Sequence, residues 1–321
     1  MKTRTLAVVG ATGSQGGGLV EAVRSNADSP FQVRALTRNR QSPQAQALAA
    51  GGTDVVEADL DDLDSMRRAF DGADAAFVVT DYWARRTPED EASRTRAEME
   101  LAQAENAALA AKSAGVGHVI WSTLEDTRDH FGDDERVPTV EGRYKVPHFD
   151  AKAEADSRFV ENDVPTTFLR TTMFFEGFAG AMGPMRDERG NLVLALPIAD
   201  ELLSTIAVAD IGKTAVAIFV RGHEFIGQTV SIAGDHLTGE QYASALSEAK
   251  GEAVAYRPMS WDDFRAQDFP GAVEMGNMFQ YYAENSASFV GARDLTSVRK
   301  LNPQLQSFRQ WLTLHAADIR A

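Results

Sequence analysis

The sequence predicts an α/β fold, in which a doubly wound parallel sheet carries a smaller, mainly helical C-terminal lobe. Three observations predict it: a glycine-rich turn follows the first apolar run, apolar runs then alternate with helical patterns, and the chain after His236 is mostly helical. Strands that alternate with helices form β-α-β units with a parallel sheet and right-handed crossovers.

The glycine-rich turn begins nine residues after the first residue of the chain, directly after the apolar run 6–9. Its glycines have the spacing G-x-x-G-x-x-G, and the turn consists of Gly10, Ala11, Thr12, Gly13, Ser14, Gln15 and Gly16. Glycines let the backbone approach a pyrophosphate, and the N-terminus of the following helix offers N–H groups and a positive dipole end. The turn therefore predicts a dinucleotide-binding Rossmann domain; the alternative is an ordinary glycine-rich connecting loop.

The predicted elements follow from the periodicity of apolar residues. The predicted strands are residues 5–9, 31–37, 55–58, 75–80, 118–122, 166–170 and 229–232. The predicted helices are residues 15–25, 42–50, 63–70, 88–114, 150–162 and 211–220. Residues 1–172, with 207–233 folding back, are the predicted Rossmann domain, and residues 173–206 and 234–321 are the smaller lobe.

Residues 125–147 are polar and acid-rich, and they predict a long loop that leaves the end of the fifth strand. Few of these residues are apolar enough to anchor the loop. The carboxyl ends of parallel strands border the cofactor crevice, so we expect the loop to cover the cofactor and to respond to it.

Composition excludes several classes of protein. The chain of 321 residues has a net charge of −15, no cysteine and six scattered histidines. The charge argues against nucleic acid, and the histidine spacing predicts no metal site. No apolar stretch approaches the roughly 20 residues of a membrane span, and the N-terminus shows no apolar signal region, so we expect a cytoplasmic protein that is not bound to a membrane.

The end of the second strand predicts the cofactor. NAD-binding folds place an acid there, whereas this chain has Thr37, Arg38, Asn39 and Arg40. A guanidinium suits a 2′-phosphate, which favours NADP(H) over NAD(H); the alternative is a solvated basic turn. We expect Asp59 and Leu60 to lie along the adenine and Thr80 to face the nicotinamide ribose. The predicted contacts beyond the glycine turn are Arg38, Asn39, Asp59, Leu60, Thr80, Asp81 and Lys152.

A second pattern lies on the helix after the fifth strand, where short-chain reductases carry Tyr-x-x-x-Lys. This chain keeps the lysine, Lys152, and has His148 in place of the tyrosine. The two residues are one helical turn apart and share a face. Ser122 occupies the position of the usual catalytic serine. The candidate catalytic residues are therefore Lys152, His148 and Ser122, although Lys152 could be a surface lysine and His148 a structural or capping residue.

Taken in order, these motifs resemble the NmrA-like family of atypical short-chain dehydrogenase/reductases, and more its redox-sensor branch than its nitrogen-repression regulators. The resemblance covers nearly the whole chain and includes Val-Thr-Asp-Tyr-Trp, Pro-His-Phe-Asp-Ala-Lys and Leu-Arg-Thr-Thr-Met-Phe-Phe-Glu. It implies NADP(H) binding without the catalytic tyrosine, and it adds Met173, Phe174, Phe175 and Glu176 to the cofactor contacts. The same aromatic stretch could instead pack the domain junction. The acidic insertion departs from the family pattern.

Two functions from different classes remain. The first is a sensor that binds NADP(H) and passes its state to a regulatory protein partner. The second is an NADPH-dependent reductase of a small carbonyl, quinone or enone, with Lys152 in proton delivery, since a branch resembling isoflavone reductases uses this lysine without a tyrosine. The missing tyrosine favours the sensor, and a homodimer stays open.

Overall fold

The computed structural model describes residues 3–319, which divide into two compact units. The first unit comprises the described residues up to Asp126 together with His148–Arg170 and Ile211–Val230. The second comprises Thr127–Pro147, Thr171–Asp210 and the described residues from Ser231 onwards. Residues 127–147 thus group with the second unit, whereas the sequence analysis assigns them to the Rossmann domain.

The strands of the described chain, in order, are β1 (Arg4–Val8), β2 (Phe31–Thr37), β3 (Asp54–Glu57), β4 (Ala75–Val78), β5 (Val119–Thr123), β6 (Thr166–Arg170), β7 (Met173–Phe174), β8 (Met185–Arg186), β9 (Leu192–Leu194), β10 (Leu203–Ile206), β11 (Thr229–Ser231), β12 (Asp235–Leu237) and β13 (Val254–Tyr256).

The α-helices are α1 (Ser14–Arg24), α2 (Pro43–Ala50), α3 (Leu63–Phe70), α4 (Pro88–Ser93), α5 (Arg96–Ala114), α6 (Arg128–Phe131), α7 (Pro147–Glu161), α8 (Val208–Arg221), α9 (Gly239–Lys250), α10 (Trp261–Arg265), α11 (Ala272–Glu284), α12 (Ser286–Gly291), α13 (Leu295–Leu301) and α14 (Phe308–His315). No helix within residues 3–319 combines the length and the hydropathy that crossing a bilayer demands.

The first unit is built on a seven-stranded sheet with the order β11-β6-β5-β4-β1-β2-β3. From β6 to β3 every neighbouring pair is parallel, and β1 pairs with β2 on one side and β4 on the other. The strand order reverses at β1, because the chain runs outward to β3 and then returns to β4. This confirms the predicted doubly wound sheet, whose crevice lies at the carboxyl ends of the strands beside that reversal.

The second unit has two small sheets, β12-β10-β7 and β13-β9-β8, and most of its remaining residues are helical. Its core is aromatic: Phe178 stacks on Tyr242 with 4.9 Å between ring centroids, and Phe308 stacks on Trp311. The predicted helical C-terminal region is confirmed. The strands of its sheets are two to four residues long, too short for a periodic signal.

One predicted helix is wrong, because residues 88–114 form two helices, α4 and α5. The break lies at Arg94 and Thr95, where the backbone is extended. Thr87 and Thr95 each start a helix with a capping box, in which the threonine side chain and the third helical residue cap each other reciprocally. The capping box of Thr95 therefore starts a new helix at a position where the sequence pattern predicts one continuous helix.

The prediction of a weakly anchored loop at residues 125–147 is also wrong. The segment contains α6, and four of its apolar side chains are buried in the described structure: Phe131, Val137, Tyr144 and Val146. Buried Lys145 donates hydrogen bonds to the carbonyl oxygens of Asp134 and Val137, at 3.1 and 2.8 Å. The segment therefore folds around its own buried lysine.

The same segment is held to α11 within the second unit. The side-chain nitrogen of Asn277, a fully buried residue, donates to the carbonyl oxygens of Pro138 and Lys145, at 2.9 and 2.6 Å. At the end of α11, Glu284 lies 3.6 Å from Nε2 of His130 and forms an ion pair with Arg136 at 3.4 Å. Residues 127–147 are therefore an integral part of the second unit.

Candidate cofactor site

The glycine turn between β1 and α1 has the geometry that a pyrophosphate requires. Gly10 has a φ of +66°, and the N–H of Gly13 donates to its carbonyl oxygen at 2.9 Å. A Cβ on Gly16 would lie 2.3 Å from that same oxygen, so only glycine lets α1 start this close to β1. Gly13 precedes α1 and supplies no side-chain cap, so no side chain of the N-cap residue competes with an anion for the first-turn N–H groups. The turn fits a dinucleotide.

Ser122 ends its buried strand in contact with this turn. The Ser122 hydroxyl is almost fully buried and donates to Oε1 of Gln15 at 2.8 Å. The serine therefore ties the first turn of α1 to β5, and its proton is already held by a protein acceptor. Its catalytic role stays a prediction.

The ends of β2 and β3 lie side by side, because the N–H of Ala58 donates to the carbonyl oxygen of Thr37. Arg38 is exposed there and has no ion pair or hydrogen bond with any residue of 3–319. Asn39 is also exposed, and its side-chain oxygen accepts from the N–H of Gln41. The turn after β2 thus offers an unpaired guanidinium to solvent.

Asp59 and Leu60 follow β3 and are half-buried. The N–H of Asp59 donates a hydrogen bond to the Ser65 hydroxyl oxygen, at 3.0 Å, and Asn106 donates to the Leu60 carbonyl oxygen at 2.8 Å. These contacts fix the backbone beside the end of β2. The predicted adenine contact of this pair stays a prediction.

Thr80 and Lys152 form the centre of the site on the first unit. The Lys152 ammonium donates to Oγ1 of Thr80 at 2.6 Å and to its carbonyl oxygen at 3.1 Å. It also lies 2.9 Å from Oε1 of Glu100 on α5. Lys152 is only 8% exposed, so the surface-lysine alternative is wrong. Asp81, next to Thr80, is exposed and accepts from the N–H of Trp83.

A half-buried acid, Asp156, lies on the same helix as Lys152. The Lys152 ammonium lies over the ring of Trp121, with 5.2 Å between Nζ and the ring centroid. The Trp121 indole N–H donates to Oδ1 of Asp156 at 2.9 Å. Burial raises the pKa of Asp156 to about 6, although hydrogen bonds from Thr123 and Trp121 and the charge of Arg170 act in the opposite direction. Lys152 thus contacts the carboxylate of Glu100 and shares the neighbour Trp121 with that of Asp156.

His148 lies in an aromatic cluster of the first unit. Its ring centroid is 5.4 Å from that of Trp83, 5.9 Å from that of Tyr82 and 4.9 Å from that of Phe149. The Trp83 side chain is 45% exposed, which is unusual for an indole. His148 is therefore packed among rings at the position where short-chain reductases carry a tyrosine, and its acid–base role stays a prediction.

The four remaining predicted contacts lie in the second unit. Met173 and Phe174 form β7, which pairs with β10. Phe175 is fully buried against Phe308 and Trp311, so its side chain has no surface for a ligand.

Glu176 accepts the backbone N–H of Val208 at the start of α8, and burial raises the pKa of Glu176. Its carboxylate therefore stabilises a helix N-terminus. The structure brings the predicted residues of the glycine turn, Thr80, Ser122 and Lys152 together on the first unit.

Sequence reasoning missed Glu100, Asp156 and Trp83. Glu100 lies within an alanine-rich helix, and in such a helix the sequence predicts that an acidic side chain is exposed to solvent. The signal for Trp83 was present, because an aromatic pair directly follows the fourth strand at the edge where cofactors bind.

Comparison with known proteins extends these findings. The profile of the NmrA-like family matches residues 2–312. The NmrA-like family domain-containing oxidoreductase hkm9 of Aspergillus hancockii is 26% identical over 289 residues, which are 86% of this chain and 82% of hkm9.

Two solved structures share the fold. NmrA, a negative transcriptional regulator solved in complex with NADP, is 21% identical and has a TM-score of 0.75 over 97% of this chain and 95% of its own. NmrA has also been solved with NAD. The triphenylmethane reductase of Citrobacter sp., solved with NADP(H), is 19% identical and has a TM-score of 0.72 over 97% and 99% of the two chains.

Proposed function

The chain belongs to the NmrA-like family, and on that premise we propose that it binds NADP(H) on its first unit and reports the state of the cofactor to a protein partner. The binding part rests on the glycine turn and on Arg38. A guanidinium without a protein partner, at the end of β2, is the group that a 2′-phosphate requires, since it is permanently charged and donates in a planar fork. NmrA binds both NADP and NAD, so the preference for NADP(H) is part of this proposal.

The observation that carries the sensor role is how two of the three candidate catalytic groups, Lys152 and Ser122, are engaged. The Lys152 ammonium donates to two oxygens of Thr80 and lies 2.9 Å from Oε1 of Glu100. The Ser122 hydroxyl donates to Gln15. A bound NADPH supplies a hydride, and a reduction also needs a proton from a group aimed at the substrate. Lys152 and Ser122 already direct their protons to protein oxygens, which favours binding without turnover.

The test combines titration and turnover. We expect calorimetric titration to give a lower Kd for NADPH and NADP⁺ than for NADH and NAD⁺. We expect negligible NADPH oxidation with a panel of aldehydes, quinones and enones. Equal affinity for both cofactor pairs contradicts the assignment of Arg38, and rapid turnover of any panel member contradicts the sensor role.

The partner is tested separately. Purified protein is immobilised with either NADPH or NADP⁺ in the buffer and exposed to an extract of its own cells. A protein retained in one cofactor state and released in the other supports the sensor, and retention that ignores the cofactor contradicts it.

The second candidate is an NADPH-dependent reductase. It is favoured by the name of hkm9, an oxidoreductase, and by the partly exposed Trp83 beside His148, which offers a planar surface to a substrate. His148→Tyr restores Tyr-x-x-x-Lys. Carbonyl reduction that appears in this variant and is absent from the wild type supports a site that has lost its proton donor.

A further inference from the structure

Glu100 is a buried carboxylate that the proposed function does not use. It lies on α5 with no exposed surface, and Oε1 is 2.9 Å from the Lys152 ammonium. Among the described residues, neither of its oxygens accepts a hydrogen bond of normal geometry. Its interaction with Lys152 is therefore mainly one of charge.

Such a pair is a poor way to stabilise a fold. Removing two charges from water is costly, and the attraction compensates only when additional hydrogen bonds satisfy the remaining lone pairs. Lys152 has those hydrogen bonds, from its contacts with Thr80, but Glu100 does not. Replacing both members of such a pair by apolar residues of similar volume is often neutral or stabilising. The carboxylate is better explained by what its charge does to Lys152.

The other charges nearby do not replace Glu100. Asp156 shares Trp121 with Lys152, but Asp156 also has Arg170 as a positive neighbour. Thr80 is neutral. Glu100 is therefore the carboxylate in direct contact with the ammonium, and it brings the net charge of the Lys152–Glu100 pair to zero.

We propose that Glu100 is a specificity-determining residue, which sets the preference of the site between oxidised and reduced cofactor by cancelling the charge of Lys152. This rests on the proposed function and on the predicted place of Lys152, whose ammonium donates to Thr80, the residue expected to face the nicotinamide ribose. The oxidised nicotinamide ring carries a positive charge and the reduced ring is neutral. An ammonium without a compensating carboxylate would repel the oxidised ring and not the reduced ring. The neutral Lys152–Glu100 pair repels neither form of the cofactor.

The experiment is calorimetric titration of the full chain with NADP⁺ and with NADPH at pH 8, which is above the pKa of about 6 that burial gives Asp156. Glu100→Gln keeps the shape of the side chain and removes its charge. We expect the ratio of the Kd for NADP⁺ to the Kd for NADPH to rise about tenfold, as one uncompensated unit charge gives across a partly screened protein site. If Glu100→Gln does not fold, Glu100→Met takes its place, and we expect the same rise in the ratio of the two Kd values.

The matched control is Glu105→Gln, on the same helix. Glu105 faces Arg158 at 3.8 Å, and its removal changes the net charge by the same amount away from Lys152. We expect this control to leave the ratio unchanged. The double variant Lys152→Met with Glu100→Gln is again neutral, so its ratio returns to the wild-type value even though both cofactors bind more weakly.

Equal weakening of NADP⁺ and NADPH in Glu100→Gln overturns the proposal, because a purely structural role affects both forms alike. A wild-type protein that binds neither cofactor refutes the proposed function itself. Wild-type binding with an unmoved ratio in Glu100→Gln refutes only the role of Glu100.

Discussion

Gly16→Ala tests the closest backbone approach in the site. The new Cβ would lie 2.3 Å from the carbonyl oxygen of Gly10, 2.6 Å from its carbon and 2.9 Å from the nitrogen of Ala11. All three are backbone atoms, so the methyl group can be accommodated only if α1 moves away from β1. Overpacking of this kind costs about 1–3 kcal/mol, against a helix-propensity gain of about 1 kcal/mol for replacing glycine by alanine. We expect net destabilisation together with loss of cofactor affinity.

The matched control is Gly17→Ala, one residue further along α1. Its Cβ would meet the carbonyl oxygen of Ala11 at 3.5 Å, an ordinary contact. We expect this variant to gain up to about 1 kcal/mol from helix propensity. Thermal unfolding without cofactor and calorimetric titration with NADPH measure the two effects. If Gly16→Ala unfolds at the same temperature as Gly17→Ala, the close approach of α1 to Gly10 is refuted.

Three further predictions follow from the described contacts. Arg38→Ala should weaken NADPH binding by about 1.5–3 kcal/mol, which is tenfold or more, and leave NADH binding unchanged. Calorimetric titration measures both affinities, with Arg68→Ala, a variant of an exposed residue, as the control. Equal losses of affinity for both cofactors would contradict the prediction. Burial raises the pKa of Asp156 to about 6, so this group contributes stability below about pH 4 that is lost as the pH rises through 6. Asp156→Asn, which stays neutral, should therefore gain on the order of 2 kcal/mol relative to the wild type between pH 4 and pH 7.5, and a difference that does not vary with pH in chemical unfolding would refute this. Asn277→Ala removes the donor to two carbonyl oxygens of residues 127–147. Amide hydrogen exchange should therefore accelerate in that segment and stay unchanged in β1, β4 and β5. Unchanged exchange in the segment would show that its own buried side chains are sufficient to hold it.

The sheet of the first unit could be predicted because its signals are local. Each strand is a short apolar run, each helix has its own periodicity, and the glycine turn lies between the first pair. The break between α4 and α5 was also readable, since Thr95 and Glu98 form a capping box in the sequence. The continuous helical pattern on either side obscured it.

The missing parts depend on contacts between residues that are distant in the chain. Asn277 anchors Pro138 from 139 positions away, so nothing near residues 127–147 indicates that the segment is held. Glu100 is likewise an ordinary helical acid until the fold places Lys152 against it. Charged residues in such positions are recognised only when both partners are seen together.

The interleaving of the two units has a consequence for biosynthesis. The outer strand of the seven-stranded sheet, β11, ends at Ser231, although its neighbour β6 is complete at Arg170. During translation the ribosome therefore releases β6 well before the strand that covers its free edge. An uncovered edge strand pairs readily with other chains, so the nascent protein passes through a stage at which it is prone to aggregate. A fragment that ends at residue 172 would be fixed at that stage, because it lacks β11.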